Sequence, residues 1–138
     1  MFLLIRKISP YTEKDLLLGL FSNRTQAELQ REHYILQNLK EDQWAEQGYH
    51  EVDLQKDVQV VDVREKLKGE QQQPTTIIDG ITKAFVVSLI EEGFGQIRRE
   101  VDAIFFDKNE AQKYMVLKDG EEREYEPSWF ELDVLPLQ

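Results

Sequence analysis

At 138 residues, 41% apolar and 32% charged, the chain has the size and composition of one soluble globular domain. It contains no cysteine, which excludes a disulfide framework, a thiolate nucleophile and a thiolate metal site. Its 17 basic and 27 acidic residues leave a formal net charge of −10, which counts against nucleic acid and anionic membrane as partners.

The opening "MFLLIRKISP" holds four apolar residues between Met1 and Arg6, too few for the core of a signal peptide. No run reaches the roughly 18 apolar residues of a membrane span, so the expected location is cytoplasmic. "FLLIRKI" and "DLLLGLF" are apolar runs of strand length separated by the polar "SPYTEK", and they predict a hairpin with a moderately long loop. Asn23 and Gln26 then have the spacing of a helix capping box. The helix they open is expected from about Arg24 to about Lys40, with Ala27, Tyr34, Ile35 and Leu39 as its apolar stripe and Leu29 and Leu36 widening it. "GYHEVDL" (Gly48–Leu54) is the expected third strand. "VQVVDV" (Val58–Val63) is a further strand or an extension of it.

The polar "REKLKGEQQQPTT" (Arg64–Thr76) reads as a linker. After it, "IIDGI" suggests a short strand, and the earlier pattern returns. "AFVVSLI" and "VDAIFF" predict two strands separated by "EEGFGQIRRE". Asp107 and Glu110 repeat the capping spacing, and a helix from about Lys108 to about Lys118 stops at "KDG". "SWFELDV" (Ser128–Val134) ends the set, with Glu131-Leu132-Asp133 set against Glu51-Val52-Asp53. The expected fold is therefore α+β. It is a single domain over 1–138 built by tandem pseudo-twofold duplication of a ββαβ unit, with a mixed, mainly antiparallel sheet and helices on one face. Unit one covers 1–63, the linker 64–76 and unit two 77–138.

Catalytic chemistry has little to draw on. His33 lies mid-helix; His50 adjoins Glu51 in an expected strand, where neighbours point to opposite faces. Ser22 and Ser128 lack the Gly-x-Ser-x-Gly setting of an activated serine. No His pair has zinc spacing, and Gly93-Phe94-Gly95 follows Glu91 and Glu92 with no third glycine after it, unlike a phosphate cradle. No enzyme activity, cofactor or metal is expected.

The charge is unevenly placed. Residues 1–69 carry 10 basic and 12 acidic side chains, whereas residues 70–138 carry 7 and 15. The acidic run "KDGEEREYEPSWFELD" holds much of that excess. Trp44 and Tyr125 fall between a helix and its expected third strand, and Tyr49 and Trp129 at the start of that strand. These features suggest a non-enzymatic protein-interaction domain for a basic protein partner, of inhibitor, immunity or charge-mimic type. Its expected contact residues are Asp119, Glu121, Glu122, Glu124, Glu126 and Trp129. The alternative is a small-molecule binding or sensing domain with its site in the cleft between the two repeats.

Overall fold

The computed structural model describes residues 1–8, 13–39, 53–121 and 127–138. Its first sheet contains β1 (Phe2–Arg6), β2 (Leu16–Phe21) and β3 (Val58–Asp62), in the order β2-β1-β3 and antiparallel throughout. Helix α1 (Arg24–Gln37) leads from β2 towards β3, which is preceded directly by the single turn α2 (Leu54–Asp57). In the second sheet β4 (Ile77–Ile78), β6 (Gln96–Phe105) and β7 (Ser128–Pro136) all pair antiparallel with β5 (Ile81–Gly93). Helix α3 (Lys108–Asp119) lies between β6 and β7 in sequence. The fold is α+β, with two antiparallel sheets and, among the described residues, three α-helices.

The predicted caps form. Asn23 accepts the backbone N–H groups of Thr25 and Gln26, and Asp107 accepts that of Asn109. The side chain at the third helical position behaves differently from a capping box. Glu110 turns away from its own helix and accepts the backbone N–H groups of Glu70 and Gln71, at 2.7 and 3.1 Å. The expected linker is thereby docked. Arg64–Lys66 forms a 3-10 turn, Leu67 bridges Ile104, Lys68 N–H donates to the Ile104 carbonyl, and Thr76 Oγ1 donates to the Phe106 carbonyl. Polar composition suggested a free connection, but these side chains and amides fasten it across the second sheet.

Three further expectations are corrected. The third strand of the first sheet is Val58–Asp62, and the end of "GYHEVDL" is no strand: Asp53 caps α2 by accepting the N–H groups of Gln55 and Lys56, and Leu54 opens that turn. Gly48–Val52 lie outside the described residues. The second hairpin has no long loop, since β5 and β6 pair through to Gly93↔Gln96 and turn on Phe94 and Gly95, both at positive φ. Two such residues match the right-handed twist of the paired strands. Leu29 and Leu36 are 57% and 65% exposed, so they do not widen the buried stripe of α1. By helical spacing they lie roughly 180–200° round the helix from Ala27.

The sheets are also not one sheet. They meet at a seam of parallel pairing, Leu20↔Leu137. There, Gln138 N–H donates to the Leu20 carbonyl and Ser22 N–H to the Gln138 carbonyl. Strand alternation then gives each sheet a helix face and a shared face. Leu4, Phe21 and Val58 pack under Ala27 and Ile35 of α1; Phe85, Val87 and Phe105 pack under Ala111 of α3. Leu3, Leu20, Val86 and Ile104 meet between the sheets. The order of layers is helix, sheet, shared core, sheet, helix.

Candidate functional site

The shared face turns polar towards one end. On β5 the alternation that buries Ala84 and Val86 continues to Ser88. On β6 it passes from Val101 to Arg99, and on β7 from Leu135 to Asp133, Glu131 and Trp129. The β1–β2 hairpin supplies Lys7, Lys14 and Asp15 from the first sheet. Charges are placed here because the inward register runs past the apolar core to its open end.

Arg99 organises this cluster. Its side chain is 4% exposed; Nη1 donates to Ser88 Oγ at 3.2 Å and to Asp133 Oδ2 at 2.9 Å, and Nη2 lies 3.5 Å from Glu131 Oε2. Glu131 Oε2 also accepts from Lys14 Nζ, an ion pair that ties the two sheets together. Trp129 Nε1–H donates to Glu131 Oε1 at 3.1 Å. Burial pushes the Glu131 carboxyl up. The Lys14 and Trp129 hydrogen bonds, with the charges of Lys14 and Arg99, outweigh it and hold the group below its ordinary value.

Beside the cluster is a pocket of about 250 Å³ lined by Lys7, Asp15, Arg98 and Arg99. Asp15 is buried, takes the Ile8 N–H at 3.0 Å on one oxygen, and pairs with Lys7 Nζ at 3.1 Å on the other. Among the described residues no group of three or more His, Asp and Glu is placed to hold a metal ion. No helix there is long and apolar enough to cross a membrane.

Protein-family models, curated proteins and solved structures were all compared with this chain. None matches.

The residues expected at a partner surface are not all brought together. Asp119 ends α3 and is exposed; Glu121 is exposed and accepts from Lys118 Nζ at 3.3 Å. Trp129 is partly buried on β7, on the shared face with Glu131, whereas Asp119 belongs to the helix that covers the other face. Glu122, Glu124 and Glu126 lie outside the described residues. His33 is exposed on α1 with Gln37 beside it, and His50, Trp44, Tyr49 and Tyr125 are outside the described residues. The Arg99 cluster was missed because its members are scattered over more than 120 positions. The available signal was a charge at an inward register, at Arg99 and at Asp133.

Proposed function

We propose that the chain is a non-enzymatic cytoplasmic protein-interaction domain that binds a basic protein partner, in the manner of an inhibitor, immunity protein or charge mimic. The observation that carries this reading is the last part of α3. Val116 and Leu117 are 75% and 67% exposed there, and Asp119 and Glu121 lie just beyond them, with Lys118 between and paired to Glu121. Exposed aliphatic side chains bordered by charged ones have the anatomy of an interface, apolar at the centre and polar at the rim. The negative end of the helix dipole adds to the acidic field.

The same reading makes the chain one domain formed by tandem pseudo-twofold duplication, with units 1–63 and 77–138. Three features support it. The first strand of each set is central, and the helix joins the two strands that flank it. Each central strand has a register shift against its hairpin partner, between Leu4 and Ile5 and between Val87 and Ser88. The caps Asn23 and Asp107 follow the second strand of each set at the same distance.

The test of the interaction is kinetic. With a partner captured from the native host, charge reversal of Glu121, Glu122 and Glu124 to Lys should slow association and leave the fold intact. The wild-type on-rate should fall steeply with salt, while Leu117→Ser should act mainly on the off-rate. An on-rate indifferent to both salt and charge reversal would defeat the proposal.

A further inference from the structure

Strand β6 is an outer strand of the second sheet, and the turn that starts it sets which backbone groups face outward. Phe94 and Gly95 form a two-residue turn closed by Gly93↔Gln96, so those two residues exchange hydrogen bonds across the hairpin. Bonded and non-bonded pairs then alternate along the ladder. Arg98 and Glu100 therefore direct their backbone N–H and C=O groups at β5, whereas Ile97, Arg99 and Val101 direct theirs away from it. Glu92, opposite Ile97, agrees with this phase: its N–H leaves the hairpin and donates to the Pro127 carbonyl at 3.0 Å. Among the described residues, the outward groups of Ile97, Arg99 and Val101 meet no partner, and this edge is covered only at Ile104, by Leu67 and Lys68. Arg98 and Arg99 point to opposite faces yet both line the 250 Å³ pocket beside Lys7 and Asp15, which places that opening along the edge itself. A free edge invites pairing with another chain, and a run of one charge would prevent it. Here Arg98 and Glu100 are both exposed and carry opposite signs on either side of Arg99.

We propose that this edge pairs with the same edge of a second copy of the chain, as antiparallel β6 strands related by a twofold axis at Arg99. Such an axis stands perpendicular to the sheet and pairs residues of one face, so it passes through a residue position and not between two. At Arg98 it would set arginine opposite arginine, and at Glu100 glutamate opposite glutamate. At Val101 it would set Glu100 opposite Asp102, and at Ile97 it would carry Glu100 past the end of the partner strand. At Arg99 it sets each Arg98 opposite the partner's Glu100 and each Ile97 opposite the partner's Val101. Opposite charges and apolar pairs directly across a ladder stabilise it, and like charges destabilise it. The hydrogen-bond phase agrees, because the outward groups of Ile97, Arg99 and Val101 meet those of the partner's Val101, Arg99 and Ile97. The two Arg99 side chains do not confront each other. Each is 4% exposed and runs inward over the sheet to Ser88 Oγ and Asp133 Oδ2. Asp102, the extra residue where the register shifts between Val87 and Ser88, ends the paired stretch. The contact uses no residue of α3 and so stands apart from the acidic partner surface.

Analytical ultracentrifugation of the full chain over a wide concentration range reads the self-association. It is expected to be weak and concentration-dependent, because one short strand buries little area. Arg98→Glu and Glu100→Arg should each weaken the dimer at least about 10-fold, since either reversal sets like charges opposite one another at two places. An equimolar mixture of the two variants should restore it, because each carries the charges the other lacks. The double variant Arg98→Glu with Glu100→Arg should restore it as well. Hydrogen exchange on the wild type gives a second readout. The backbone amides of Ile97, Arg99 and Val101 should exchange more slowly as concentration rises, while those of Arg98 and Glu100, already bonded to β5, should change little. A chain that is monomeric at every concentration overturns the proposal. So does a dimer that ignores both reversals, or one that each reversal weakens and the mixture fails to restore.

Discussion

Gly69 and Glu110 show how much of this molecule depends on single atoms. Gly69 has φ +92°, and a Cβ built there meets the Glu110 carboxylate and comes within 3.0 Å of the Phe105 ring. The Glu110 side chain cannot simply swing aside, because it holds the N–H groups of Glu70 and Gln71. Gly69→Ala should therefore cost more than the roughly 1–2 kcal/mol of left-handed strain alone. In a Glu110→Ala background the added cost should fall back towards that strain, a non-additivity that urea titration of the four variants measures. The caps are independent of this contact, and Asn23→Ala should destabilise by about 0.5–2 kcal/mol. Glu131 governs a pH response. Its folded-state value is held below the ordinary 4.5, so its contribution to stability is present above that value and is lost as the pH falls through the lower, folded one. Glu131→Gln should flatten the acid limb of a stability-against-pH curve, as followed by thermal melts on the acid side of pH 5.

At the scale of elements, the helices and their starts were legible because a cap is a local event. Asn23 and Asp107 need only the next three residues to act, and they act as the spacing predicts. The apolar faces of the strands were legible for the same reason, through alternation. Strand ends and pairings were not, because they depend on distant partners. "EEGFGQIRRE" resembles a loop until Glu91 is set opposite Arg98 and Ile90 opposite Arg99, which carries both strands to the Phe94–Gly95 turn. The third strand was misplaced because Asp53, read as a strand residue, uses its carboxylate to start a helical turn. The Arg99 site was illegible because Lys7 and Lys14 reach it from the other sheet. One element-scale expectation is symmetric. Phe21 and Phe105 both close a second strand under a helix and are both buried. Truncation of either to Ala should cost about 3–5 kcal/mol, read as a lowered denaturation midpoint.

Whether the two sheets unfold together is decided by what joins them. Each sheet with its helix has a covered face of its own, Phe21 with Ala27 and Ile35 on one side, Phe105 with Ala111 on the other. Those clusters alone would allow two lobes to melt separately. The shared face argues against separation, because Leu3 and Leu20 from the first sheet and Val86 and Ile104 from the second lie in one cluster of fully or nearly fully buried side chains. Parting the sheets would expose all of them at about 25 cal/mol per Å² of apolar surface. It would also break the Gln138–Leu20 and Gln138–Ser22 backbone bonds and the Lys14–Glu131 ion pair. The segment from Arg64 to Thr76 adds a further tie, since it leaves β3 and is bonded to β6 and α3 of the other sheet. A small domain bound in this way should show one two-state transition by circular dichroism and fluorescence alike. The discriminating variant is Leu20→Ala, which opens a cavity in the shared core from the first sheet. It should lower the single midpoint by an amount corresponding to about 2–5 kcal/mol, and Trp129, which sits in the second sheet, should report the same shift. Two separated transitions, with Leu20→Ala moving only the one that Trp129 does not see, would mean that the inter-sheet core contributes less than the helix-covered faces do.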